Sequence, residues 1–464
     1  MASAAALVIP AHVTPPAAQL PVLRYLRTVV RNPLEVWPEA IYHQKTYVER
    51  FLGRETLFVM DPDLIHQIMV VEPEKYLKSV MMQRLLAPAL GSGMVTSDGA
   101  QWRRQRRIVA PMFRPGEVSL FVPEMLAAGD REAARLSAMA DGTEISLNFE
   151  MMRTTFDIVA ETILSGADRF DVARLAGAID TYLGATGWVV ALAQIGLPER
   201  FPYPGRRKVM AARDYLRKVT GDLVAERRRS GEHRGDLIQA LIDARDEENG
   251  EQMNDTEIVD NLLTFITAGH ETTALALTWT FYLLSLHPEI EAKVLAEIEA
   301  AGGADGITAE GVARLSYTRQ VLSEALRLYP AAPTLLRTPI ADTTIAGHRV
   351  TSKSQVFIPI YAIHRHTLLW DDPHRFDPDR FTPEAQKARH RHAYMPFGAG
   401  PRICIGMGFA LLEAAALVAK LLPRFRFDAS AATPIPVAQV TLRPRGGMPA
   451  ILSRRPLSSA RRAA

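Results

Sequence analysis

The chain has 464 residues, with Lys+Arg 54 against Asp+Glu 51, 48% hydrophobic residues, 23% charged residues and a single cysteine. These values exclude a disordered chain, a collagen-like fibre and a disulfide scaffold, and a net charge of +3 is too mild to imply a nucleic-acid partner. One cysteine also forbids an internal disulfide, a four-cysteine zinc site and a chain-borne iron–sulfur cluster.

At the N-terminus a short apolar run, Ala4 to Ile9, is interrupted by Pro10 and then Pro15-Pro16. It lacks a positively charged start and is far short of the roughly 20 apolar residues a spanning helix needs. Residues 1–20 are therefore expected to be a flexible segment with no membrane anchor. Trp102 and Arg106 stand four apart, which on a helix puts an indole N–H and a guanidinium on one face, two donors suited to a carboxylate. Asn254-Asp255-Thr256-Glu257 has the spacing of a capping box, and the helical pattern runs from there to Leu286, where His287-Pro288 ends it. That is about 30 residues, or roughly 45 Å at 1.5 Å per residue. The apolar stretch Leu262 to Leu286 within it reads as a buried core helix. A second helix begins at Pro288, with Ile290, Val294 and Ile298 striping one face.

Glu324 and Arg327 are i and i+3 neighbours, so an ion pair is easy. Beyond them, Thr344-Ile345 and Val356-Phe357-Ile358 flank a polar turn region with Gly347, a pattern for a small hairpin. From Trp370 to Pro401 the chain is rich in Pro, Asp, Arg and His and reads as a long structured loop, followed by a helix from Met407 to about Leu422. The pairs His364/His366 and His390/His392 lack an obvious third metal ligand. Gly91-Ser92-Gly93 and Gly398-Ala399-Gly400 lack the third glycine of a dinucleotide fingerprint. The basic tail, Arg454-Arg455 and Arg461-Arg462, reads as a solvated end. Gly and Pro punctuate the chain throughout, so a prior of about three domains gives way to one, 1–464, mainly α with a minor β region. The expected location is the cytoplasm.

The only cysteine stands in Phe397-Gly398-Ala399-Gly400-Pro401-Arg402-Ile403-Cys404-Ile405-Gly406. An isolated cysteine is usually a small buried hydrophobe. Here Gly400 and Gly406 bracket the thiol and let the backbone turn tightly beside something flat, and a helix start just after it would aim amide donors at the sulfur and favour thiolate. Phe-x-x-Gly-x-Arg-x-Cys-x-Gly, at Phe397, Gly400, Arg402, Cys404 and Gly406, resembles the haem-binding loop of the cytochrome P-450 family. Three more segments resemble that family in order: Trp102-x-x-x-Arg106, Ala268-Gly269-His270-Glu271-Thr272-Thr273, and Glu324-Ala325-Leu326-Arg327 with Arg380 of Phe376-Asp377-Pro378-Asp379-Arg380-Phe381.

The resemblance implies the cytochrome P-450 fold, haem b (iron protoporphyrin IX) and Cys404 as its axial thiolate, whose electron density in that family favours O–O cleavage. It places Phe397, Gly398, Gly406 and Ala268 against the cofactor, and Trp102, Arg106, Arg337 and Arg402 at its propionates. Thr272 and Glu271 become the alcohol and acid that deliver protons to dioxygen. Gly269 in the helix interior and the threonine hydroxyls favour a local opening there. A metalloprotease reading of His270-Glu271 fails because residue 274 is Ala274. Glu324, Arg327 and Arg380 are implied as a structural triad. Arg103 and Arg107, the next stripe of their helix, are either a solvated face or a dock for an acidic electron donor.

The implied function is a soluble bacterial-type monooxygenase that hydroxylates a lipophilic small molecule with dioxygen and two electrons. The donor would be a separate ferredoxin and ferredoxin reductase or a flavodoxin-type protein, and the enzyme would be a monomer. Met81, Met82, Leu85, Phe265, Ala268 and Leu335 are the expected pocket residues, and they suit a fatty acid, terpenoid or related lipid. Two rivals remain at this point: a peroxide-driven or isomerising enzyme of the same fold, and a non-catalytic haem- or ligand-binding protein.

Overall fold

The computed structural model describes residues 8–163, 171–198 and 200–456. Arg461-Arg462 and the start of the apolar N-terminal run lie outside the described residues. Helices dominate, and the longest is Asp255–Leu286, 32 residues or about 48 Å of rise. Its start is the capping box expected from sequence: Asn254 Oδ1 accepts from the Glu257 N–H at 3.0 Å, and Glu257 Oε2 accepts from the Asn254 N–H at 3.1 Å. Its end is His287, ahead of the helix Pro288–Ala300, whose Ile290, Val294 and Ile298 are the buried stripe. The long helix packs on the helices Leu147–Ile163, Arg206–Ser230, Ser316–Leu328 and Met407–Leu421. It is apolar on nearly every side because helices surround it.

A five-stranded sheet flanks the helices in the order Thr46–Phe51, Arg54–Val59, Gln355–Ile358, Leu335–Pro339, Tyr76–Lys78. The pairings are antiparallel except that Arg54–Val59 runs parallel to Gln355–Ile358. The hairpin expected around Gly347 exists with a different partner. Thr343–Ile345 pairs with His348–Val350 through Ala346-Gly347, while Gln355–Ile358 joins the large sheet. Both turn residues have positive φ, 48° and 79°, which gives the two-residue turn that matches strand twist and leaves no room for a longer loop.

The N-terminal segment is not loose over its described part. Val13 is buried and its N–H donates to the Tyr361 hydroxyl at 3.2 Å. Tyr329 Oη donates to the Ala11 carbonyl at 2.7 Å. The stretch Arg174–Gln194 is, by length and composition alone, long and apolar enough to cross a membrane. It is divided into two helices, Val172–Leu183 and Thr186–Gln194, by a turn at Gly184, and nearly half of its apolar window is buried in the protein.

Among the described residues two large hydrophobic clusters form most of the interior, beside a small third one of Trp370, Phe381 and Ala393. The larger holds Trp279, Leu322, Ile360 and Ala414; the second holds Leu86, Trp102, Phe265 and Ile266. Between them lies the site.

Candidate functional site

A cavity of ≈ 810 Å³ is walled by both clusters, with Leu322, Ile360 and Ala414 on one side and Leu86, Trp102 and Phe265 on the other. Cys404 lines it, and so do Thr272 and Ala268 of the long helix. The cysteine loop is shaped by two backbone constraints. Gly400 sits at φ +69°, where an added Cβ would fall 1.9 Å from the Met69 carbonyl oxygen, so only glycine fits. The Cys404 N–H then donates to the Phe397 carbonyl at 2.9 Å, which closes the loop. Gly406 differs from expectation: its φ of −83° is ordinary, and it is the N-cap of the helix Met407–Leu421.

The thiol is affected by opposing forces. Burial pushes the Cys404 pKa up, and the Gly406 N–H together with the Arg106 charge pulls it back. The amide donor foreseen at the helix start is therefore present, but burial outweighs it. A metal ion is what deprotonates a thiol in such surroundings.

Four of the cations that line the cavity, Lys78, Arg106, Arg337 and Arg402, act on one another. Trp102 and Arg106 come from the helix Gly99–Val109, one turn apart, and Arg402 comes from the cysteine loop. Arg337 and Lys78 are directly opposed on neighbouring strands. Like charges placed opposite each other in a sheet repel, so this pairing needs an anion. One is supplied by the protein: Asp98 Oδ1 is 2.9 Å from Arg402 Nη2, and Asp98 Oδ2 accepts the Lys78 N–H at 2.8 Å. Lys78 Nζ donates to the Met94 and Ser97 carbonyls, both at 2.7 Å. Burial pushes the Lys78 ammonium down to about 7, Asp98 opposes this, and the charges of Arg402, Arg337 and Arg106 add to it. Burial and the Arg402 charge push Arg337 down to about 10. Arg402 Nε is buried with no hydrogen-bond partner among the described residues. The donor set suits a bulky, mostly apolar ligand with more than one carboxylate at one edge, which is the chemistry of haem.

On the long helix Thr272 Oγ1 donates to the Ala268 carbonyl at 2.7 Å, and Thr155 Oγ1 donates to the His270 carbonyl at 2.8 Å. The foreseen opening is therefore no break, because the helix runs on without interruption. Glu271 does not line the cavity. It is buried on the other side, where Oε1 accepts from the Thr441 hydroxyl and, at 2.6 Å, from Arg443 Nε. Arg443 Nη1 donates in turn to the half-exposed Asp180 at 2.6 Å. Glu271 Oε2 is buried without a partner among the described residues.

Met82, Phe265, Ala268, Leu335, Phe397 and Gly398 line the cavity; Met81 and Leu85 do not. Met81 and Leu85 share one face of the helix Val80–Leu90, and Met82 and Leu86 share the next. The cavity takes the second face, while Leu85 packs with the second cluster and its carbonyl accepts from Tyr182 Oη at 2.8 Å. A one-residue error on a helix turns a side chain by about 100°.

The triad is present around a buried pair. Arg327 Nε and Nη2 donate to Glu324 Oε2 and Oε1 at 2.6 and 2.7 Å, and Arg380 Nε lies 3.7 Å from Glu324 Oε1. The docking stripe is only partly available. Arg107 forks onto Asp246 at 2.9 and 2.8 Å, which leaves Arg103 exposed. The histidine pairs are structural: His364 Nε2 accepts from the Met395 N–H at 3.0 Å, so its other nitrogen carries the proton toward the Arg327 carbonyl. Among the described residues no group of His, Cys, Asp and Glu could hold a metal ion.

Two residues were missed. Lys78 could have been found only from its strand partner. Glu413, nine positions after Cys404, is buried beside Ala414 of the cavity wall, with Oε1 unpartnered among the described residues. Burial pushes it up to about 8, against a hydrogen bond from Thr273.

The profile of the cytochrome P-450 family matches residues 31–448. Cyclooctat-9-en-7-ol 5-monooxygenase of Streptomyces melanosporofaciens is 31% identical over 408 residues, covering 88% of each chain. Pentalenene oxygenase of Streptomyces avermitilis is 33% identical over 417 residues, 89% of this chain and 90% of its own. The crystal structure of the cytochrome P-450DA haem domain matches with a TM-score of 0.78 at 26% identity, covering 97% of this chain and 98% of that one. The chain belongs to the cytochrome P-450 family, with the fold expected from its motifs, and it is a cytochrome P-450 monooxygenase.

Proposed function

We propose that the enzyme holds haem b through Cys404 and hydroxylates a lipophilic small molecule. The observation that carries this reading is the meeting, in one mostly apolar cavity, of the only cysteine, the cluster of Lys78, Arg106, Arg337 and Arg402, and Thr272. Lys78, Arg106, Arg337 and Arg402, with Trp102, would hold the propionates, which relieve the repulsion between Lys78 and Arg337. Phe397, Gly398, Ala268 and Gly406 would lie against the cofactor and keep water from the sulfur. Haem so bound supplies the activation of dioxygen, of which one atom enters a C–H bond and the other leaves as water at the expense of two electrons.

The protein's own part is proton handling and positioning. Thr272 presents a hydroxyl to the cavity while anchored on the Ala268 carbonyl, so it can accept a proton from behind and pass one forward. Glu271 stands behind it on the branch that reaches the surface at Asp180, with a free Oε2 that can turn toward Thr272. The apolar wall of Met82, Leu86, Phe265 and Leu335 favours a hydrocarbon-rich substrate. The relatives' names, which specify cyclooctat-9-en-7-ol and pentalenene, support a compact terpenoid over a long fatty acid. Electrons would come from a separate ferredoxin system or flavodoxin, since the chain has one cysteine and no dinucleotide fingerprint.

The test is the optical spectrum of the dithionite-reduced protein with carbon monoxide, followed by titration with a terpenoid and fatty-acid panel. A Soret band at the thiolate-ligated position and a low- to high-spin shift with a terpenoid are expected. A histidine-type band in folded protein would overturn the assignment of Cys404.

A further inference from the structure

Arg365 is an interior charge that meets no counter-charge among the described residues. It follows the short helix Ile360–Ile363, its N–H closes a turn onto the Ala362 carbonyl at 2.9 Å, and its side chain is buried. The guanidinium carbon lies 3.8 Å from the centre of the Tyr361 ring and 5.7 Å from that of Tyr329. The one hydrogen bond its side chain makes among the described residues is long, from Nη1 to the Tyr361 carbonyl at 3.5 Å, and Nε has no partner. The groups that act on it most strongly are three phenols and Arg327, with no carboxylate among them. Glu324 is already taken by the fork of Arg327. Aromatic faces attract a cation without neutralising it, and buried charges are ordinarily paired because leaving one unpaired is costly.

Two further donors beside it are unused. Tyr42 ends the turn Glu39–Tyr42, and its carbonyl accepts the Thr367 N–H at 3.0 Å, two residues after Arg365. Its hydroxyl is buried without a partner among the described residues, and so is His374 Nδ1. The charge of Arg365 acts on both side chains. Burial holds Tyr42 far above its ordinary pKa and pushes His374 down to about 3. At neutral pH both are therefore uncharged, the phenol with a hydrogen to donate and the imidazole able to carry its own at Nδ1. The N-terminal segment covers this group: the His12 ring packs on His374 with centres 4.3 Å apart, and the Val13 N–H donates to Tyr361 Oη at 3.2 Å. None of Arg365, Tyr42 and His374 lines the large cavity, so a haem there would not answer this charge.

We propose that Arg365, Tyr42 and His374 bind a small inorganic anion of the halide class, chloride being the ordinary one, beneath the N-terminal segment. Three donors that share one full positive charge and no acceptor suit a monoatomic anion. Water would satisfy the donors but leave the charge uncompensated. The anion then ties the turn after Ile360–Ile363 to the segment around His12, so its binding is linked to stability.

The experiment is calorimetric melting of the full-length haem-loaded protein in chloride and in gluconate, a bulky anion, at constant ionic strength so that screening is fixed. Replacing gluconate by chloride should raise the melting temperature by a few degrees and then saturate, and bromide should act alike. Tyr42→Phe removes a hydroxyl that no described residue uses and should move half-saturation to several-fold higher chloride. Arg365→Met should abolish the dependence, and it should fold, because an apolar side chain of similar volume replaces a buried charge at little cost. Crystals soaked in bromide should show its anomalous signal beside Arg365 Nε. A melting temperature indifferent to chloride, or a dependence that survives in Arg365→Met, overturns the proposal. So does a bromide-soaked crystal with water alone at Arg365. If Arg365→Met fails to fold, Tyr42→Phe and the bromide signal still decide.

Discussion

Thr272 and Glu271 are adjacent in sequence and face opposite ways, so their substitutions should separate. Thr272→Ala removes only a hydroxyl that back-bonds within its own helix. Haem and substrate binding should persist, and reducing equivalents should be diverted to hydrogen peroxide, measured as peroxide formed per electron donor consumed. Unchanged coupling would remove Thr272 from the mechanism. Cys404→His should abolish oxygenation and the thiolate Soret band even if haem is retained. Glu413 gives a pH test. Its ordinary value is 4.5 and burial pushes it to about 8. Between those values the folded protein keeps a proton that the unfolded chain has released, so this group's stabilising contribution is complete below about 4.5 and is lost as pH rises toward 8. Each pKa unit corresponds to about 1.4 kcal/mol, so the effect amounts to a few kcal/mol. Glu413→Gln cannot ionise and should flatten the decline, read as urea midpoints at mildly acidic and mildly alkaline pH. An equal slope in both proteins would show that Glu413 is not the titrating group.

The long helix and the pair Glu324–Arg327 show how differently two helix features bear on stability. Asn254 caps an exposed helix end, and Asn254→Ala should cost about 1 kcal/mol. Glu324 and Arg327 are fully buried, and the guanidinium also donates to the carbonyls of His364, Pro373 and Arg375 at 2.7, 2.7 and 2.8 Å. Glu324→Gln leaves that charge unpaired in the interior, a loss of about 3–5 kcal/mol, which should appear as a greatly lowered melting temperature or loss of soluble protein. Arg327→Lys should fare little better, since an ammonium cannot fork. Both features were legible in the sequence because their partners lie three residues apart. The hairpin at Gly347 was placed correctly but paired wrongly, since register depends on the turn, and the turn residue Ala346 carries no signal for positive φ. Met81 and Leu85 were a face too far round, because the helix Val80–Leu90 is apolar on adjacent faces. Lys78 was invisible for a different reason: its role comes from a strand partner more than 250 positions away.

At the scale of the molecule, the cavity lies where the two large core clusters would otherwise meet, so the haem proposed for it would be part of the core. Leu322, Ile360 and Ala414 belong to one cluster, Leu86, Trp102 and Phe265 to the other, and all six face the same ≈ 810 Å³. Without a ligand that surface is open to water, and among the described residues Asp98 is the carboxylate that opposes the repulsion at Lys78, Arg337 and Arg402. A group that binds only the folded chain stabilises it by mass action, about 4 kcal/mol when present at a thousand times its Kd. Haem-free protein should therefore melt well below the loaded form. Because the repulsion is electrostatic, added salt should narrow the gap. Calorimetry of both forms across a salt series checks this. The variant Lys78→Met tests the cause, since it removes one cation and should raise the melting temperature of the haem-free protein while weakening haem retention. A fall in both would mean that Lys78 serves mainly the carbonyls of Met94 and Ser97, and that the cation cluster is held together without need of an anion.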